Sequence, residues 1–423
     1  MKFTELHTNI KLRIVIGFFQ RIINQMIIPF MAIYFAANFG IKMAGILSLS
    51  VILIGLLTSF IGGYYSDRLG RKPIILCSEF GNFLVFLIMA LVNSPWLVSP
   101  EITYILFILN NIFTNLGKPA VDAMIVDVST PKTRKYIYSI NYWTINLSFA
   151  IGAMIGAFFY ERYFFHILLI ASLVTIVIFF IYLFFITESK PKRDSKSTNN
   201  KKNVSLLHIF LSYKDILKDV IFIRFVIVSI IIMGIEYQLA YYIGVRLVSE
   251  FNPISIESFL FDKINISGTE VYGILRMENT ILVVLGVFLF EKLLKNLSDK
   301  HRLYYGTVLF TLGYMVLGSN NYLIYLLLAM FVLTVGEIAY VPIKQSILAI
   351  IIDDNARTRY MAVYGIHYRL GLVFASLSLL ISSYVPSWFM SIFYGVMGLI
   401  ALFLYKNLMN NGNVKSKLNK LSA

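Results

Sequence analysis

Gly62-Gly63-Tyr64-Tyr65-Ser66-Asp67-Arg68-Leu69-Gly70-Arg71-Lys72-Pro73 lies between two apolar runs, residues 41–65 and 73–92. Each run is long enough to cross a bilayer as a helix, which takes about 20 residues. Gly62 and Gly63 thin one helix face, so another backbone can approach closely. Asp67 falls where the first run ends, and a carboxylate there opposes the negative end of its own helix dipole. It needs a compensating partner, such as Arg71 four residues on or the N-terminus of another helix. Gly70 lets the chain turn, and Pro73 suits the first position of the next helix. Arg68, Arg71 and Lys72 in so short a connection mark the cytoplasmic side.

The composition extends this reading to the whole chain. Of 423 residues, 58% are hydrophobic and 14% charged, and mean hydropathy is +0.76. Soluble domains carry about 25% charged residues, so the chain reads as a polytopic membrane protein. The net charge of +15 does not call for nucleic acid, because Lys and Arg crowd the loops on one side, where anionic lipid attracts them. One cysteine, Cys77, excludes an internal disulfide. No cluster of metal or haem ligands occurs, so no cofactor and no metal are expected. The basic N-terminus runs into an apolar stretch too long for a signal peptide and without a cleavage site, so it reads as an uncleaved first helix.

On the 20-residue ruler, spans 1–6 fall at residues 12–35, 41–65, 73–92, 102–127, 134–160 and 164–187. Spans 7–12 fall at 222–249, 271–290, 303–317, 323–352, 359–384 and 388–406. Residues 188–220 are a basic linker with an amphipathic second part, and 409–423 a basic tail. The loop at 250–270 contains Phe251, Phe259, Leu260 and Phe261 and reads as dipping into the interface. Basic clusters such as Lys132/Arg134/Lys135 and Lys292/Lys295/Lys300/Arg302 alternate with loops that hold only Lys42, Arg162 and Lys263. That puts both termini in the cytoplasm. An ungapped shift of 226 residues lays Asp127, Tyr138 and Tyr142 on Asp353, Tyr364 and Tyr368. The expected fold is therefore all-α, twelve transmembrane helices in two pseudo-symmetric six-helix bundles, residues 1–187 and 221–408, with the substrate site between repeats.

The segment 62–73 resembles the signature between helices 2 and 3 of the major facilitator superfamily, G-x-x-x-D-R-x-G-R-K. The resemblance implies a cytoplasmic latch between the two halves of a transporter, with Asp67, Arg68 and Arg71 in gating roles.

Charged groups inside the spans each need a partner, a wet cavity or a function, since burying one in a bilayer costs about 2.5–3.5 kcal/mol even on insertion scales. Glu337 lies mid-span in Val335-Gly336-Glu337-Ile338-Ala339-Tyr340-Val341-Pro342, with Tyr340 one turn on and open space expected beside Gly336. It suits a proton carrier or a partner for a cationic substrate, or else it is tied to an Arg such as Arg369. Glu236 sits at comparable depth among Tyr237, Gln238, Tyr241 and Tyr242, and either binds or makes a helix–helix hydrogen bond. Lys118 and Asp122 stand at i and i+4, where they either neutralise each other or serve transport. Asp127 ends span 4 and reads as a gating acid. Asn141, Tyr142, Trp143 and Asn146 open span 5 with polar and aromatic groups, and Gly152 and Gly156 form a close-packing face. Arg21, Asn24 and Gln25 on span 1, and Arg276 and Glu278 on span 8, are weaker candidates.

Three further segments, Ala123-Met124-Ile125-Val126-Asp127, Tyr142-Trp143-Thr144-Ile145-Asn146-Leu147-Ser148 and Gly336 through Pro342, resemble bacterial drug:proton antiporters of the LmrP type. The resemblance implies Asp67 and Asp127 as proton-linked switches and Glu337 as a cavity acid. An acid expected just before Tyr142-Trp143 is replaced by Asn141, so one protonation site is either missing or moved, to Asp122 or Glu236. The function so implied is proton-driven efflux of amphipathic or cationic small molecules from the cell membrane, by a monomer. A dedicated exporter of one metabolite, such as a metallophore or lipid-linked compound, is the alternative within transport. A non-transporting membrane sensor is the alternative outside it. No loop holds a nucleophile with its base, so the chain does not read as an enzyme, and no nucleotide-binding motif supplies ATP as a drive.

Overall fold

The computed structural model describes residues 8–127, 131–188, 216–258, 261–294, 297–352 and 357–410. The first half runs α1 (Thr8–Phe39), α2 (Ile41–Leu69), α3 (Arg71–Leu91), α4 (Pro100–Asp127) and α5 (Pro131–Phe185). α5 is one 55-residue helix interrupted at Tyr163, whose φ of −129° and ψ of 28° lie outside the helical region. That kink separates the two spans expected there. The second half runs α6 (Val220–Glu236), a 3-10 turn (Tyr237–Leu239), α7 (Tyr242–Glu250), α8 (Gly268–Leu294), α9 (Asp299–Ser319), α10 (Leu323–Ile351), α11 (Arg357–Tyr364), α12 (Ile366–Ser382) and α13 (Ser387–Met409). Span 7 is thus broken at Tyr237 and span 11 at Gly365, neither of which periodicity signals.

Seven helices among the described residues are long and apolar enough to cross a membrane. Counting each side of the Tyr163 kink, and each broken span once, gives twelve helical passes among the described residues. The chain is an all-α polytopic membrane protein. Two short hairpins accompany the helices: β1 (Asn93–Ser94) with β2 (Leu97–Val98), and β3 (Ile254–Ser258) with β4 (Phe261–Ile266). The second lies within the 250–270 connection, where the sequence pointed to no strands. Phe251 is buried at its start, while the side chains of Phe259, Leu260 and Phe261 lie outside the described residues.

Two compact units emerge. One comprises Met1–Lys192 and Gly244–Thr280, the other Arg193–Ile243 and Ile281–Ala423. In the first, α3 packs on α4 and α5, α2 on α4, and α1 on α5. The contacts are close because glycine removes the side chain that would separate the backbones. A Cβ on Gly62 would run into the Leu116 backbone, one on Gly152 into Ile22, and one on Gly156 into Met26 and Phe30. A Cβ on Gly63 would only touch Pro119, at 3.9 Å, so of this glycine pair it is Gly62 that lets α2 and α4 approach, as Gly55 does against Asn111 and Asn115. The first part of α8 joins this unit, with the Tyr272 ring 5.4 Å from Phe30 and Gly273 against Ala157.

In the second unit, α9 packs on α10 and α13, and α6 on α12 and α13. Gly306 and Gly336 meet backbone to backbone where α9 crosses α10. Gly336 therefore makes a helix crossing rather than the open space expected beside Glu337.

The stretch 62–73 closes α2 and opens α3. Gly70, at φ 112°, donates its amide to the Ser66 carbonyl, in a region of backbone space that strains any residue with a Cβ. α3 begins at Arg71, so Pro73 is its third residue and not its first. Proline costs nothing there, because first-turn amides have no partner within the helix. The amides of Arg71 and Lys72 donate to the two carboxylate oxygens of Glu188, at 3.0 Å each. Lys72 Nζ reaches the Leu183 carbonyl at 2.8 Å. A carboxylate on a helix N-terminus gains from both the orphan donors and the dipole.

Candidate functional site

Four helices of the first unit enclose a cavity of about 410 Å³, within the usual range for small-ligand pockets of roughly 300–1,000 Å³. α1 contributes Arg13, Gly17, Gln20, Arg21 and Asn24, a stripe at helical spacing. α3 contributes Ser78, Glu79, Asn82 and Phe86; α4 contributes Thr114, Gly117, Lys118, Val121 and Asp122; α5 adds Ile145 and Thr175. Gly17 makes room for Arg21, whose guanidinium lies 3.4 Å from where a Cβ would sit. Gly117 does the same for Ser78, which donates to the Phe113 carbonyl at 2.6 Å.

The polar groups form three hydrogen-bonded sets, the first of which spans α1, α3 and α5. Arg13 Nη1 donates to Tyr182 Oη at 3.1 Å and to Gln20 Oε1 at 3.0 Å. Gln20 Nε2 in turn donates to Glu79 Oε1 at 2.7 Å. Glu79 is buried, only 5% exposed. Asn82 accepts from Asn110 at 3.0 Å and from Thr114 at 3.4 Å. Arg21 Nη2 donates to Thr144 Oγ1 at 3.1 Å, and that hydroxyl donates to the Asn141 carbonyl. Asp122 and Lys118 stand open on the cavity, and the charges of Lys118 and Arg13 both reach Asp122.

Among the sequence candidates, the structure brings Asp122, Lys118, Arg21 and Asn24 to this cavity and places Asn141 beside it through Thr144. Glu79, Arg13 and Gln20 escaped sequence reasoning. Glu79 was open to the same rule as Glu337, a charged group inside a span, but it lies close to the basic connection and merges with it. Arg13 reads as the flank of span 1. Helical spacing from Arg21 and Asn24 back to Gly17 and Arg13 was the missed signal.

Glu337, Glu236 and Tyr340 come together in the second unit. Tyr340 is fully buried on α10 and lies in the field of both glutamates. Glu236 also acts on Lys344, buried one turn beyond Tyr340, a neighbour the sequence did not suggest. Tyr314 Oη donates to the Glu236 carbonyl at 3.0 Å. Asp67 pairs with Arg71 across one turn, and Arg71 also donates to Ser66 Oγ at 3.1 Å; Arg68 reaches Tyr64 Oη at 3.4 Å. Asp127 ends α4, but its side chain, those of Tyr142, Trp143 and Asn146, and all of Asp353 lie outside the described residues.

Chemically, the cavity presents two carboxyl groups, two guanidinium groups and one ammonium group, together with amide and hydroxyl groups. It holds no nucleophile–base pair. Among the described residues no group of three or more His, Cys, Asp or Glu is placed to hold a metal ion.

The comparisons agree with this architecture. Over 411 residues, 96% of each chain, the protein is 28% identical to a "Na(+), Li(+), K(+)/H(+) antiporter" of Planococcus maritimus. It is 24% identical to the "Multidrug resistance protein MdtH" of Blochmanniella floridana over 312 residues, 74% of this chain and 70% of that one. A crystal structure of a POT family transporter in complex with 5-aminolevulinic acid superposes with a TM-score of 0.70 over 97% of this chain and 98% of that one. At 13% identity that likeness is one of fold. The family model of the Major Facilitator Superfamily matches residues 14–261. The chain, a non-enzymatic membrane transporter, belongs to the Major Facilitator Superfamily.

Proposed function

We propose that the protein is a proton-coupled antiporter that exports amphipathic small molecules carrying a positive group. The supporting observation is Glu79, a carboxyl group buried inside the membrane on a solvent-sized cavity, one amide away from Arg13 and across from Asp122. An acid in such a place is ionised only while a cation or donor compensates it. A proton and the positive end of a solute compete for Glu79 and Asp122, and that competition couples the gradient to export. Glu236 and Glu337, around Tyr340, form a second group of acids proposed to exchange protons in the other unit.

Both termini and the 188–220 linker lie on the cytoplasmic side in this reading, residues 1–187 and 221–408 are the two bundles, and the protein works in the cell membrane as a monomer. Asp67, Arg68, Arg71 and Asp127 serve the cytoplasmic gate. A second reading, exchange of monovalent metal cations for protons, is favoured by the name of the Planococcus relative, which aligns over nearly the whole chain.

Reconstitution in liposomes separates the two. With an imposed pH gradient, efflux of ethidium or rhodamine B that dissipates the gradient supports export of organic solutes carrying a cation. Gradient dissipation by Na+ or K+ alone, with both dyes inert, supports the second reading.

A further inference from the structure

The cavity's cations outnumber its acids. Arg13, Arg21 and Lys118 line it against Glu79 and Asp122. Neither guanidinium has a carboxylate within ion-pair distance among the described residues. Arg13 uses only Nη1 for hydrogen bonds, and Arg21 only Nη2. The Nε groups of both are buried without a hydrogen-bond acceptor. Buried guanidinium donors are normally satisfied, because leaving a charge desolvated and unpaired is costly. Two guanidinium groups lining one cavity, backed by Lys118, make a cluster of excess positive charge that an anion would compensate. Arg recognises planar oxyanions through paired donors.

We propose that this cavity takes zwitterionic amphipaths, with a carboxylate held by Arg13 and Arg21 and the cationic end directed to Asp122 and Glu79. The inference rests on the antiport reading and narrows its substrate class. A solute with a cation alone meets three like charges and leaves both guanidinium groups unsatisfied. A zwitterion compensates both sets at once, and its cationic end still displaces a proton from the acids.

Rhodamine B and its ethyl ester test this, since they share one xanthylium cation and differ only in the free carboxylate. Their binding to detergent-purified full-length protein is measured by fluorescence polarisation, together with proton release in weak buffer. The wild-type protein is expected to bind the acid at least tenfold more tightly than the ester. Arg21→Gln should bring the ratio near one by weakening the acid alone, and Arg21→Lys should restore part of the preference. Equal or tighter binding of the ester by wild-type protein overturns the proposal, whether or not the variants fold, as does an unchanged ratio in monodisperse Arg21→Gln. Failure of the antiport reading shows separately, as a preference for the acid with no proton released by either dye.

Discussion

Gln20 donates its side-chain amide to Glu79 at 2.7 Å while accepting from Arg13 at 3.0 Å through its carbonyl. A neutral side chain thus stands between a membrane guanidinium and a membrane carboxyl and keeps them from neutralising each other directly. An ion pair there would fix both charges; with the amide between them, Glu79 has no direct ionic partner among the described residues. Gln20→Leu removes the bridge and leaves a donor on Arg13 and an acceptor on Glu79 unsatisfied. Stability should fall by about 1–3 kcal/mol, read by thermal unfolding of purified protein, and Gln20→Glu should shift the pH dependence of transport by adding an acid beside Arg13.

At the α2–α4 crossing, Gly62→Val drives side-chain atoms into the Leu116 backbone and should cost about 1–3 kcal/mol or more. Gly63→Ala meets only Pro119, at 3.9 Å, and should be tolerated. Melting temperatures of the two variants, compared side by side, check which glycine of the pair is pressed on α4.

Glu188 anchors the end of α5 to the start of α3 through two amide hydrogen bonds. Glu188→Ala should cost about 0.5–2 kcal/mol, the range for losing a side-chain cap, and Glu188→Gln should recover part of it. Hydrogen exchange at the amides of Arg71 and Lys72 should speed up in the Ala variant while the middle of α3 stays protected.

The close-packing faces at Gly62 and at Gly152 and Gly156 were legible because membrane-length apolar runs and small-residue faces are local features, whereas the helices they meet were not. The partner of Asp67 was legible for the same reason, since Arg71 lies one turn away. The cavity was only half legible. Asp122, Lys118 and Arg21 stand out as charges inside spans, whereas Glu79 matters because α3 turns it toward Gln20 on α1, a relation between distant parts of the chain. The breaks at Tyr237 and Gly365 and the β3–β4 hairpin also stayed hidden, because tertiary packing rather than local propensity sets them.

Lys344 is a buried cation in the field of Glu236. Glu236→Gln removes that compensation and should lower the melting temperature, because a buried charge left without a compensating one is costly. The double variant Glu236→Gln/Lys344→Met should recover most of the loss. Equal melting temperatures for the single and double variants would show that the two charges do not interact.

Asp67 is three-quarters exposed, and an exposed pair contributes about 0–1 kcal/mol. Asp67→Asn should therefore insert and melt much as wild type does, yet lose most transport if it serves the gate. Full transport by inserted Asp67→Asn protein in liposomes would remove the gate from this account.

The central claim is that Glu79 and Asp122 exchange protons for solute. Its most direct test is the number of protons released when rhodamine B saturates purified protein in weak buffer, across a pH series from mildly acidic to mildly basic. The account predicts release that is greatest at the acidic end, where the carboxyl groups hold protons before binding, and that disappears in Glu79→Gln/Asp122→Asn. Undiminished release from the double variant, at the same dye occupancy, would contradict it.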